Sequence, residues 1–161
     1  MKQKPIKRNE NILKFSKEHH FALLFSWKIR QGLKYNIAAE RMQKYARYFW
    51  QHYMQPHFAE EEEILFAPMK DKWTQKAIEE HQQIIQQVKE LENYTGDEAN
   101  EKLSQLAVNL DNHVRYEERE LFPHLEKTLS AIQLKKIGKQ LQESQQATLQ
   151  DNYEDGFWIK K

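Results

Sequence analysis

Apolar positions recur along this chain at spacings of three and four residues, the period that turns one face of an α-helix toward a core. The column Phe15, His19, Ala22, Ser26, Ile29 and Leu33 predicts a first helix, starting near Asn9 or Asn11 and closing near Gly32. A second, from about Asn36, runs through Tyr45, Phe49, Tyr53, His57 and Glu61 to Phe66, with Pro56 inside it to bend or break it. Asp71 is placed to cap a third helix through Ile78, His81, Ile84, Ile85, Val88 and Leu91, which stops at Tyr94-Thr95-Gly96. Asp97 is placed to cap a fourth, with the stripe Leu103, Leu106, Leu110, His113, Glu117 and Leu121, and Pro123 kinks or ends it. Ser130 opens a short fifth helix through Ile132, Leu134, Ile137 and Leu141.

Four long helices joined by short turns predict an all-α fold: an antiparallel up-down four-helix bundle with a short C-terminal helix and tail. Residues 1–145 read as the bundle domain, and 146–161 as an irregular tail, polar except for Tyr153, Phe157 and Trp158, the side chains able to anchor it. The stripe of Tyr45, Phe49, Trp50 and Tyr53 reads as bundle core.

Composition narrows the chemistry. The 25 basic and 24 acidic residues nearly cancel, so no global field draws nucleic acid or an anionic membrane. With no cysteine, disulfides, thiolate metal sites and cysteine catalysis are excluded, and any metal must be held by nitrogen and oxygen. The basic start, Met1-Lys2-Gln3-Lys4-Pro5, leads into no apolar run of signal type, and nothing approaches the ~20 apolar residues of a membrane span, so the expected location is the cytoplasm.

Two of the helices carry the same phrase. His57 is followed at the fourth residue by Glu61 and then by Leu65-Phe66; His113 is followed by Glu117 and then by Leu121-Phe122-Pro123. Residues four apart share a helix face, so each phrase points an imidazole and a carboxylate the same way. The other two helices carry Glu18-His19 and Glu80-His81, each opening an apolar stretch. A single His-x3-Glu is usually a surface pair. Four imidazoles and two carboxylates on inward stripes would cost several kcal/mol to bury without a cation.

On the first helix the ligand is His19 or the adjacent His20, which cannot share its face; the match of Glu18-His19 to Glu80-His81 favours His19. His52 reads as a rim residue and His124 as a hydrogen-bonding core or rim histidine. Glu60, Glu62, Glu63, Glu118 and Glu120 read as solvated acids, with Glu62 and Glu118, at matching places in the two phrases, as candidates to support a ligand from behind.

This ordered set, with the Leu65-Phe66-Ala67-Pro68 and Leu121-Phe122-Pro123 endings, resembles the hemerythrin-like, or HHE cation-binding, family over about residues 9–129. The resemblance implies a four-helix bundle holding a non-haem di-iron centre, with Glu61 and Glu117 bridging two iron ions and four histidines as terminal ligands. The oxygen carriers of that family have a fifth histidine on the third helix, where Ile85 stands here, and an Asp on the fourth helix in place of Glu117. The resemblance therefore points to the non-carrier branch and away from reversible O2 transport.

Zinc or manganese are possible substitutes for iron in such a nitrogen and oxygen site. The expected function is a di-iron binding or sensing module, rather than a dedicated enzyme, whose partner is a small diatomic (O2, NO) or peroxide, or which handles iron. The alternatives are an iron oxidoreductase, ferroxidase or peroxide-reducing, and a metal-stapled structural or protein-interaction bundle.

Overall fold

A computed structural model describes residues 7–144 and 152–160 of the chain. Its ordered elements are all helical, and no strand occurs among the described residues. Helix α1 (Leu13–Lys34) is followed by α2 (Ala39–Phe49), a π-helical turn (Trp50–Met54), α3 (Gln55–Glu60) and a second π-turn (Glu61–Leu65). Then come α4 (Lys72–Glu90), ended by a 3-10 turn (Leu91–Asn93), and α5 (Gly96–Tyr116), which passes through a third π-turn (Glu117–Leu121) into α6 (Phe122–Thr128). Helix α7 (Ala131–Glu143) closes the helical part.

The predicted stripes are the buried faces, while several predicted ends are not where the capping signals placed them. Asp71 caps α4 as expected, accepting from the backbone N–H groups of Trp73 and Thr74, and Ser130 caps α7 in a capping box with Gln133. Helix α1, however, starts behind Ile12, which is fully buried, and Asn9 instead accepts from the Asn11 backbone in a turn before it. Gly32 lies inside α1, not at its end. A Cβ there would sit 2.6 Å from the Met42 sulfur and 3.0 Å from the Phe157 ring, so its role is close approach. The left-handed backbone position after the helix is taken by Asn36, at φ 54°. Helix α5 begins at Gly96, ahead of the expected cap Asp97, which lies in the first turn where its charge favours the helix dipole.

Neither proline ends its helix. Pro56 and Pro123 each occupy the first turn after a π-turn, where the hydrogen-bond ladder is changing register and a missing N–H is tolerated. Ile132, expected on the inner stripe of α7, is exposed, and Leu134, Ile137 and Leu141 make the contact.

The buried side chains form two apolar clusters. One contains Ala22, Phe58, Ile84 and Val114; the other contains Phe15, Leu65, Ala77 and Leu121. Along each long helical rod the chain passes from one cluster to the other, and the residues between are His19, Glu61, His81 and Glu117. A polar layer is thus sandwiched between two apolar ones. The stretch 145–151, with residue 161, lies outside the described residues, but the rest of the tail is anchored as its aromatics suggested. Phe157 is buried in the first cluster, and Tyr153 and Trp158 pack against the ring of Tyr45. Tyr45, Phe49 and Tyr53 are core, whereas Trp50 is only partly buried against it.

Candidate metal centre

The polar layer brings together His19, His57, Glu61, His81, His113 and Glu117, all buried. Their ligand atoms fall into two groups, His19, His57, Glu61 and Glu117 on one side and Glu61, His81, His113 and Glu117 on the other; within each group these atoms lie within 4.8 Å of one another. The two carboxylates belong to both groups. His57 Nε2 and His81 Nε2 each lie 3.2 Å from Glu61 Oε1, and His113 Nε2 and His19 Nε2 lie 2.9 and 3.1 Å from Glu117 Oε1.

Glu61 and Glu117 each open a π-turn, in which the backbone bonds one residue further along than in an α-helix; Phe66 N–H donates to Glu61 O at 2.8 Å. In each turn the consecutive carboxylates reach different partners. Glu61 and Glu117 stay in the layer, while Glu62 and Glu118 reach the histidine of another helix.

Those outer contacts form a ring. His57 Nδ1 bonds Glu18 (2.9 Å), His81 Nδ1 bonds Glu62 (2.8 Å), His113 Nδ1 bonds Glu80 (2.8 Å) and His19 Nδ1 bonds Glu118 (2.7 Å). Each helical rod thus supplies the carboxylate that orients the next rod's histidine, and the fourth returns to the first. A carboxylate at Nδ1 favours the proton there and leaves the Nε2 lone pair facing inward. The sequence contains the signal for all four supports, a Glu before each lone histidine and a Glu after each paired Glu, but it was legible for only two. Aromatic rings wall the layer: Phe122 stacks on His19 with centroids 5.4 Å apart, and Phe58 on His81 at 3.8 Å.

Despite these close approaches, several inward atoms make no well-aligned hydrogen bond: Nε2 of His57, His81 and His113, both oxygens of Glu61, and Oε2 of Glu117. Buried polar atoms are normally paired, so a convergent set of unpaired imidazole nitrogens and carboxylate oxygens fits a pair of cations. Protons substitute for them in the metal-free protein. Burial and the neighbouring charge of Glu117 push the Glu61 carboxyl up to about 8. Burial acts on Glu117 in the same direction, but the charge of His113 together with the contacts to Glu61, His113 and His19 outweighs it and holds that carboxyl well below the usual range. Burial would lower His113, yet the charge and close approach of Glu117 and the bond to Glu80 raise it to about 10. His19 and His81 are raised in the same way, against their burial, by Glu117 with Glu118 and by Glu61 with Glu62.

The remaining candidates lie elsewhere. His20 is exposed, its ring 5.8 Å from that of Phe21, and belongs to neither group; one residue turns a helix by about 100°, which carries it off the face of His19. His52 is exposed against Tyr48. His124 bonds the α4 cap Asp71 at 2.7 Å. Glu63 and Glu120 are exposed, but Glu60, expected to be solvated, is buried because Lys14 reaches it at 2.7 Å.

The family model described as Hemerythrin HHE cation binding domain matches residues 12–125. The chain belongs to this family. Comparison with curated proteins gives no significant match, nor does comparison with solved structures. The hemerythrin match spans all four rods that supply the layer and ends within α6, so α7 and the tail aromatics lie beyond it.

A small cavity of about 20 Å³ adjoins the layer, room for about one water-sized molecule. It is walled by Phe49, Met54, Phe58, Leu110 and Val114, and His19, His57 and His113 border it. No described helix is long and apolar enough to cross a membrane.

Proposed function

We propose that this chain is a non-haem di-iron binding protein, an antiparallel up-down four-helix bundle whose metal pair engages a small diatomic, O2 or NO, or peroxide. The observation that carries the reading is that two ligand groups share Glu61 and Glu117. His19 and His57 would hold one ion, His81 and His113 the other, and the two carboxylates would bridge them. Four protein ligands per ion would be fewer than iron commonly takes, and the remaining positions would be open to a small molecule.

The chain's own residues do the rest. Glu18, Glu62, Glu80 and Glu118 fix the ring orientation of the four histidines and keep Nε2 free to ligate. The apolar cavity beside His19 and His57 admits a molecule of diatomic size and offers few partners to a larger polar one. This favours small-ligand binding over a purely structural staple, which needs no such space.

Anaerobic reconstitution with ferrous iron, followed by metal analysis and optical spectroscopy on mixing with O2, NO or peroxide, tests the reading. We expect two irons per chain and a stoichiometric spectral change. Repeated turnover of peroxide or ferrous iron would replace binding with an oxidoreductase function, and failure to retain iron would overturn the reading.

A further inference from the structure

The two ligand groups are built alike, but the carboxylates behind them are not. Behind His19, Glu118 receives Arg8: Nη2 lies 3.0 Å from Glu118 Oε2 and 2.8 Å from the Glu118 carbonyl, while Nη1 reaches Glu126 at 2.5 Å. The Arg8 side chain is only 3% exposed and its guanidinium lies over the ring of Phe122, which stacks on His19. Behind His57, Glu18 has the ammonium of Lys14 at 3.9 Å. Behind His81 and His113, Glu62 and Glu80 form no ion pair with any Lys or Arg among the described residues. Arg8 and Glu126 both fall outside the matched residues 12–125, so this clasp is added to the family domain by flanking sequence.

We infer that Arg8 makes the two metal positions unequal, so that the His81/His113 position fills first and holds its ion more tightly. A carboxylate bonded to Nδ1–H pushes electron density onto the ring and strengthens Nε2 as a donor. Arg8 neutralises that carboxylate behind His19, and Lys14 does so more weakly behind His57. At His81 and His113 the carboxylates act undiminished. Arg8 is a positioning residue: it touches Glu118, and through it tunes His19. Outer partners of this kind change metal affinity by roughly 10- to 100-fold.

The inference rests on the two-metal reading, and one titration separates the two. Zinc, a diamagnetic probe for such nitrogen and oxygen sites, is added to the full metal-free chain while the imidazole 15N resonances of His19, His57, His81 and His113 are followed. The first equivalent should shift His81 and His113, the second His19 and His57. Arg8→Gln should raise zinc affinity at His19/His57 about tenfold and leave His81/His113 unchanged, while Arg8→Lys, which keeps the charge, should preserve the wild-type order. Rings that take no zinc would overturn the two-metal reading and this inference with it. All four rings shifting together in the wild type, or His19 and His57 first, would overturn only the inequality. Weaker zinc binding at His19/His57 in Arg8→Gln would also overturn it, since Arg8 would then act by holding Glu118 in place.

Discussion

Each imidazole of the layer has one nitrogen anchored and the other turned inward, so the histidines are the rigid part of the site and the two shared carboxylates carry its balance of charge. Their opposite proton affinities follow from burial and mutual repulsion, which raise Glu61, and from the charge of His113 with its neighbours, which holds Glu117 ionised. Glu61→Ala or Glu117→Ala should therefore lower iron occupancy at both positions, a loss of more than one ion per chain by metal analysis; clean loss of a single ion would refute the sharing. The protons also fix a pH dependence. His113 is raised to about 10, so its stabilisation of the metal-free fold is full below its unfolded value near 6.5 and is lost as pH rises through 10. Glu61, a carboxyl raised to about 8, acts with the same sign: its contribution is full below about 4.5 and declines as pH rises to 8. Thermal melts of metal-free protein should fall between pH 6 and pH 10, while iron, which competes with these protons, should bind more tightly over the same rise. At this scale the sequence was informative because ligand identity and i, i+4 spacing are local. The role of Arg8 was not legible, since it reaches Glu118 across 110 positions of chain.

Helical elements were legible on their faces and poorly legible at their ends. The stripe Leu103, Leu106, Leu110, His113, Glu117 and Leu121 reports burial directly, and all six are buried. A capping residue reports only a local option. Asn9 takes the turn before α1 because the buried Ile12 fixes where the helix enters the core. The π-turns left no signal at all, because Pro56 and Pro123 read as breaks when they are the residues tolerated after a register change. Where the cap is formed, its loss should be measurable. Asp71→Ala removes two backbone contacts of α4 and the partner of His124, and should cost about 1–2 kcal/mol in denaturant unfolding. Asp71→Asn, which can still cap, should recover most of it.

Over the whole molecule, the site is clamped between two apolar clusters, and the tail completes the one farther from α7. Phe157, buried against α1 beside Gly32, should cost about 3–5 kcal/mol when replaced by Ala, with two irons still retained at saturation by metal analysis. The sequence named the anchoring aromatics without revealing their seat, which only the packing of Tyr45, Lys28 and Trp158 defines. The ring of carboxylate–histidine bonds has a further consequence, for the order in which the protein assembles. None of its four bonds lies within one helix, and the last, His19 to Glu118, joins segments 99 residues apart. The ring cannot close until the last rod docks, and we predict that it closes after the folding transition state. Glu62→Gln and Glu118→Gln in metal-free protein should accordingly speed unfolding and leave the refolding rate nearly unchanged in stopped-flow measurements. A chain still folding offers an ion only isolated His-x3-Glu pairs, so loading is predicted to follow folding, and added metal should slow unfolding without hastening folding.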